Sequence, residues 1–323
     1  MKAVLLEKPI KANEMKIVEV PKLKIRPGWV LIKVKGFGLN RAELILRNHE
    51  IAADYIQKPV VPGIECVGEI HDGGDSRFNK GDKVVALMGG MGRSFNGSYS
   101  EYALLPAHHV FKVETAMDWV ELAAIPETFY TAYGSLFESL QLKGDDILLV
   151  HGATSALGLA AIQLAKTVGA TVIGTSRKEE RLDLLREVGC DHALVDDENL
   201  VAKIKDIYSK GITKILELVG AHTIAKTAQL LRIGGIVCVT GKLGGGQTNG
   251  LDLIRLLPNG TYLCGFYSNY PTQAVIDDIF RIIEQHNIKP VIGRVFDFEQ
   301  IGEAHEVMEN NQAQGKIVIR MSE

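Results

Sequence analysis

Residues 146–181 read DILLVHGATSALGLAAIQLAKTVGATVIGTSRKEER. An apolar strand runs into a turn of small residues, then an apolar helix, then a second apolar strand, TVIGTS. That is one βαβ unit, and the alternation continues beyond it. KEERLDLLREVG reads as a helix closing at Gly189; HALVDD, ITKILELVG and IVCVTG read as strands, and AKTAQLLRIGG as a helix. Short continuous apolar strands between helices predict a doubly wound parallel sheet, because crossover helices bury both faces of such strands.

The first 110 residues follow another pattern. WVLIKVKGFGL, ECVGEI and DKVVAL are rich in β-branched and apolar residues and are punctuated at Pro27-Gly28, Pro62-Gly63 and Lys80-Gly81. Short strands so spaced predict a partly closed β-barrel. GGMGRSFNGSYSEY (89–102) is expected to be a mobile glycine-rich loop of the kind that borders sites. Helical spacing begins at WVELAAIPETFYTAYGSLFESL, with Pro126 starting or kinking a turn. After NGTYLCGFY, a helix TQAVIDDIFRIIEQHN, the segment VFDFEQIGEAHEVMENN and a strand GKIVIRM break the repeat, and are expected to return to the first domain and complete it.

A chain of 323 residues exceeds what one core usually needs, so two domains are expected. With 46% hydrophobic and 23% charged residues and a net charge of −3, the composition is that of a soluble globular protein. It supplies no electrostatic reason for a nucleic-acid or membrane partner. No apolar run approaches a membrane span, and the N-terminal MKAVLLEKPI breaks off before a signal-peptide core develops, so a cytoplasmic location is expected. The four cysteines, Cys66, Cys190, Cys238 and Cys264, form no C-x-x-C pair and read as buried free thiols.

The turn HGATSALG places Ala153, Ser155 and Gly158 where a dinucleotide-binding turn carries G-x-G-x-x-G. Ala and Ser are the smallest replacements for glycine and preserve close approach of the backbone to pyrophosphate. Ser155 offers a hydroxyl donor, and the helix start at Thr154, Ala156 and Leu157 offers backbone N–H groups. The other reading is a small-residue turn that serves packing alone. The following strand decides the nucleotide. An acidic residue there would hold a ribose 2′-OH, but TVIGTS leads into Ser176, Arg177 and Lys178, with no acid before Glu179 and with Arg181 one turn on. Hydroxyls and a guanidinium suit a 2′-phosphate, which predicts NADPH.

PGIECVGEI (62–70), KGDKVVAL (80–87), GSYSEY (97–102), HGATSALGLAAIQLAK (151–166) and GKIVIR (315–320) together resemble the medium-chain dehydrogenase/reductases. The resemblance spans the chain in order. It implies a GroES-like β-barrel catalytic domain over 1–120, a Rossmann NADP(H)-binding domain over 121–265, and a segment 266–323 that completes the catalytic domain. Zinc-dependent members would carry a cysteine near GFGLN, a G-H-E and a third ligand near PETF. This chain has Leu39 and Asn40, Gly63-Ile64-Glu65 and Glu127 there, so no metal is expected. The histidines of AHHV (107–110) and EAHEVME (303–309) lack H-E-x-x-H spacing and read as surface or packing residues.

The chain thus resembles the zinc-free, quinone oxidoreductase-like branch. The resemblance implies that Asn40 lies beside the nicotinamide as the catalytic residue, orienting its carboxamide or donating to a developing oxyanion; a helix-capping Asn is the alternative. It also implies that Thr131, Gly241, Gly265 and Phe266 border the cofactor. Relatives place tyrosines shortly after the asparagine, where this chain has Ile45 and Leu46; Tyr55, Tyr130 and Tyr267 are candidate substitutes. The expected reaction is hydride transfer from NADPH to a small quinone or activated enone. Enoyl-thioester or lipid-enone reduction and non-enzymatic NADPH binding are the rival readings. A homodimer through the GTYLCGFY strand is implied as well.

Overall fold

The computed structural model describes residues 1–220, 222–244 and 256–322. The chain divides into two compact units, one of Met1–Tyr130 with Asn269–Glu323 and one of Thr131–Ser268.

In the first unit, β1 (Lys2–Val4) pairs with β2 (Ile17–Glu19). The main sheet is built on β3 (Trp29–Gly38), which is followed by α1 (Arg41–Asn48), β4 (Glu65–Asp72), β5 (Lys83–Leu87), β6 (Tyr102–Pro106) and β7 (Val110–Lys112). The length of β3 lets it pair antiparallel with β6 and β4 and also, through Gly36–Gly38, with a strand from the far end of the chain. Val30, Ile32, Val34 and Phe37 of β3 are buried, and Phe37 stacks on Tyr99 with ring centroids 4.6 Å apart. The 89–102 segment is therefore not an open loop at its end: Ser98, Tyr99 and Ser100 are buried, anchored by that aromatic contact.

Two short helices follow, α2 (Trp119–Ala123) and α3 (Pro126–Tyr133), and Pro126 opens the second, where its missing N–H costs nothing. The expected boundary at 120/121 differs from the observed division inside α3. The reason is that α2 packs on β3 and β4 and covers the antiparallel sheet instead of opening the next unit.

The second unit contains β8 (Ile147–His151), α4 (Ala156–Thr167), β9 (Thr171–Ser176), α5 (Leu182–Glu187), β10 (His192–Val195), α6 (Leu200–Ile207), β11 (Ile212–Glu217), α7 (Ile224–Thr227), β12 (Leu231–Val239) and β13 (Tyr262–Gly265). These strands form one parallel sheet in the order β10-β9-β8-β11-β12-β13. The order reverses between β8 and β11, the switch point at which such sheets bind ligands beyond the strands' carboxyl ends. AKTAQLLRIGG is not one helix: α7 stops at Thr227, a tight turn covers Ala228–Leu230, and Leu231 already begins β12. Gly234, at φ +82°, sits in the register shift of β12 against β11, a conformation no helix accepts.

The chain then returns to the first unit. After a helix Gln273–Gln285 come β14 (Ile292–Asp297), a helix Ile301–Glu309 and β15 (Lys316–Arg320). β15 pairs parallel with β14 and antiparallel with β3, so the closing GKIVIRM does complete the first sheet. The return begins at Asn269, three residues after the expected 266. Among the described residues no helix is long and apolar enough to cross a membrane.

Candidate functional site

The carboxyl ends of the parallel strands gather most of the residues expected to hold a nucleotide. At the end of β8 the tight turn is made by Gly152, at φ +83°, one residue before the position occupied by Ala153. A glycine for turning is therefore present, displaced by one, and Ala153 needs only to be small. Thr175 on β9 holds this turn from the neighbouring strand: its carbonyl accepts from Ala153 N at 3.1 Å and its hydroxyl accepts from Gly152 N at 3.1 Å. At Gly158 a Cβ would lie 2.5 Å from the Ala153 carbonyl oxygen, which is why the last glycine of the pattern is kept.

Ser155 caps α4, accepting from Gly158 N at 3.1 Å while its own hydroxyl donates to Gly152 O at 3.0 Å. Here that hydroxyl closes the turn. Ala156 and Leu157 open the helix with backbone N–H groups of the kind that suit an anion, with half-buried Thr154 beside them. At the end of β9, buried Ser176 donates to Lys178 O at 2.8 Å and accepts from Lys178 N at 3.1 Å, so it too shapes a turn. Arg177 and Lys178 are exposed and Arg181 is half-buried at the adjoining turn. Lys178 pairs with Glu180 at 3.5 Å, and the Arg177 charge helps hold Asp196 below the usual carboxylate range, behind the hydrogen bond from His151.

Gly241 follows β12, its N–H donating to Glu217 O at 3.3 Å, and a Cβ there would lie 2.2 Å from Leu218 O. Gly265 ends β13, and Phe266 lies so close over Gly134 that a Cβ on Gly134 would meet its ring. Thr131 is buried on α3; its carbonyl accepts from Ser135 Oγ at 2.7 Å, and Ser135 hydrogen-bonds Thr240 at 2.9 Å, next to Gly241.

The same edge holds a buried ionic chain that the sequence reading passed over. His151, the last residue of β8, places Nδ1 2.9 Å from Glu217 Oε1 and Nε2 3.0 Å from Asp196 Oδ2. Burial alone would lower its pKa, but hydrogen bonds and charge from Asp196 and Glu217 outweigh that and raise it to about 9. Glu217 also accepts from Val219 N, Gly220 N, Thr223 Oγ1 and Thr227 Oγ1, which ties the β11 end to the following turn.

Asn40 lies in the first unit. It precedes α1, and its backbone N–H donates to Glu43 Oε2 at 2.8 Å, half of a capping box, so the helix-capping reading holds in part. Its side chain does something else. Nδ2 donates to Glu65 Oε1 at 2.7 Å, and Oδ1 accepts from Lys316 Nζ at 2.7 Å. Lys316 also donates to Glu65 Oε1 at 2.7 Å, and Glu65 Oε2 accepts from Glu127 N at 2.8 Å. Glu65 and Lys316 are both buried. Glu43, buried below them, accepts from Ile64 N, and burial together with the Glu65 charge raises its pKa to about 7 against that hydrogen bond.

This donor set does not fit a zinc ion. Both Glu65 oxygens are committed, one of them to an ammonium, and a cation would have to displace Lys316. Among the described residues no group of three or more His, Cys, Asp or Glu side chains is arranged to hold a metal. His305 packs in the first unit, with Nδ1 3.4 Å from Arg47 Nη1 and Nε2 3.0 Å from Tyr99 Oη. Burial and the Arg47 charge lower its pKa to about 3, so the ring is neutral: Nδ1 accepts from Arg47 and Nε2–H donates to Tyr99.

Comparison with known proteins follows this division. Residues 26–115 match the family described as alcohol dehydrogenase GroES-like domain, and residues 156–284 match the family described as zinc-binding dehydrogenase. The chain is 33% identical to the human quinone oxidoreductase over 299 residues, covering 90% of this chain and 88% of the relative. The chain belongs to the quinone oxidoreductase-like branch of the medium-chain dehydrogenase/reductases. It is an oxidoreductase of that superfamily. Among solved structures, this branch member superposes on a quinone oxidoreductase from Escherichia coli complexed with NADPH (TM-score 0.89, 21% identity, 99% and 100% of the two chains). It also superposes on an NAD-dependent alcohol dehydrogenase (TM-score 0.90, 25% identity, 100% of both chains).

Of the tyrosine candidates in this oxidoreductase, Tyr130 is buried, whereas Tyr55 and Tyr267 are exposed, and Tyr55 Oη donates to Glu50 at 2.9 Å. Leu46 is fully buried and Ile45 exposed. The charged residues the sequence reading missed, His151, Asp196, Glu217 and Lys316, carry no local motif. The usable signal was a polar residue at the end of a strand that is otherwise apolar, as in ILLVH and ITKILE.

Proposed function

We propose that this protein is an NADPH-dependent reductase of quinones or activated enones that works without zinc. The observation carrying the proposal is the carboxyl edge of the parallel sheet. There the Gly152–Gly158 turn opens α4, and the end of β9 presents Arg177, Lys178 and Arg181 with no carboxylate before Glu179. NADPH bound at this edge would supply a hydride. The backbone N–H groups of Ala156 and Leu157 would hold its pyrophosphate, and Arg177 with Arg181 would bind the 2′-phosphate in a charge-assisted fork. Ala153, Thr154, Ser155 and Ser176 would shape the backbone beneath it, while Thr131, Gly241, Gly265 and Phe266 would border the nicotinamide.

Asn40 is the catalytic residue of this proposal. Glu65 takes one of its N–H groups and Lys316 one of its carbonyl lone pairs, leaving one N–H and one lone pair for a carboxamide or a substrate oxygen. Nδ2 also makes a long, weak contact with Gly38 O, at 3.5 Å. With the Glu65 carboxylate neutralised by Lys316, no Lewis acid is invoked. Quinones and activated enones fit, because hydride addition to them gives a delocalised anion that water protonates. The name of the human relative and the NADPH complex of the Escherichia coli structural relative support this reading. The reading includes a homodimer through β13, supported by exposed Tyr262 and Leu263 on that edge strand.

Stopped-flow mixing of protein loaded with NADPH or NADH against simple quinones, enones and an enoyl thioester tests the proposal. Quinone- or enone-driven NADPH oxidation is expected, with Arg177→Ala weakening NADPH binding about 10- to 100-fold and leaving NADH binding unchanged. Equal use of NADH would overturn the cofactor assignment. Exclusive use of the thioester would overturn the substrate class, and binding without turnover of any acceptor would make the protein a nucleotide binder alone.

A further inference from the structure

Cys238 and Cys264 stand opposite each other in the parallel register of β12 and β13. Adjacent strands lie about 4.8 Å apart, inside the Cα spacing of roughly 4.4–6.8 Å that a disulfide spans without backbone movement. Both thiols lie on one face of the pair. Cys264 Sγ is 3.7 Å from Ser139 O and 3.6 Å from Val237 O, and Cys238 Sγ is 3.4 Å from Thr240 Oγ1. Cys238 is buried, but Cys264 is half-buried, which corrects the expectation that all four cysteines are enclosed. All four are free thiols.

We propose that Cys238 and Cys264 are a peroxide-oxidisable dithiol that closes to a disulfide across β12 and β13. The neighbouring Cys264, outweighing burial, lowers the Cys238 thiol below its ordinary range, which favours its thiolate. The neighbouring Cys238 and burial raise the Cys264 thiol, against the Lys214 ammonium on β11. In contrast, burial pushes the Cys66 thiol far up and Cys190 to about 11, which leaves both inert.

The Cys238 thiolate attacks one oxygen of hydrogen peroxide and the O–O bond breaks. A sulfenic acid forms, and the departing hydroxide takes up the proton Cys238 released, giving water. The Cys264 sulfur then displaces the sulfenic oxygen, which leaves with the Cys264 proton as a second water. Two thiols lose two electrons in all, and one peroxide is reduced to two waters. The bond would tie the edge strand to its neighbour directly before Gly265 and Phe266.

Treating the full-length protein with hydrogen peroxide, then counting thiols after denaturation and mapping linked peptides, tests this. The expected result is a fall from four free thiols to two, one linkage joining the Cys238 and Cys264 peptides, and reversal by dithiothreitol. Cys264→Ser should abolish the linkage, and the double variant Cys66→Ser, Cys190→Ser should retain it. Retention of all four thiols would overturn the proposal. So would oxygen addition to a single cysteine without a linkage, or linkage only between chains.

Discussion

His151 in the parallel-sheet unit and His305 in the antiparallel unit are equally inaccessible, each 1% exposed, yet their neighbours hold them in opposite charge states. Desolvation favours the neutral ring at both. At His151 two carboxylates, Glu217 and Asp196, sit on the two ring nitrogens and reverse that preference; at His305 the Arg47 guanidinium reinforces it. Burial alone therefore does not set the protonation of these two imidazoles: at His151 the carboxylates override it, and at His305 it prevails with Arg47 behind it. One histidine is an ionic clasp between strand ends, and the other is a packed hydrogen-bond relay.

The largest effect expected from this contrast is in His151→Leu. Removing the shared cation leaves two carboxylates facing each other, and chemical denaturation should show a loss of about 3–5 kcal/mol in the parallel-sheet unit. A loss below about 1 kcal/mol would mean that the hydrogen bonds to Glu217 from Val219, Gly220, Thr223 and Thr227 carry the site unaided.

Next come opposite pH dependences. The folded pKa of His151 lies above its unfolded value near 6.5, so its stabilisation is full below that pH. It is lost as pH rises through about 9, by about 3 kcal/mol in all. The folded pKa of His305, about 3, lies below the unfolded value, so its contribution is full above pH 6.5 and lost on acidification, by about 3 kcal/mol at pH 4.5. Denaturation midpoints from acid to alkaline pH should show the alkaline loss disappear in His151→Leu and the acid loss shrink in His305→Gln. An unchanged alkaline profile in the first variant would break the contrast.

The smallest effect is expected for Tyr99→Phe. It leaves the Nε2–H of His305 without its acceptor and should cost about 1 kcal/mol. The charges around the ring are untouched, so the acid dependence should keep its shape. A changed acid slope would show that the tyrosine, rather than burial and Arg47, keeps the ring neutral.

The alternating strands and helices of the second unit were legible because a strand buried on both faces must be apolar along its whole length. The turn after β8 was legible in part: small residues announce close approach, but nothing local revealed that Gly152 takes the positive φ in place of Ala153. AKTAQLLRIGG misled because its apolar residues suit a helix until two glycines, needed by the β12 register shift, interrupt it. The resemblance singled out Asn40 and Glu65 but not that they meet, and Lys316, which binds both, does not look unusual in its own segment.

Sequence alone thus determined the alternation that builds a parallel sheet, the small residues at its switch point, and the basic end of TVIGTS that suits a 2′-phosphate. Those features are written in neighbouring residues, where periodicity and side-chain volume act. Tertiary structure alone decided that Lys316 meets Glu65 across 251 residues, that His151 meets Glu217 across 66, and that Cys238 faces Cys264. Each of those meetings depends on which strands pair and in what register, and a buried charge or thiol takes its chemistry from whatever that pairing sets beside it.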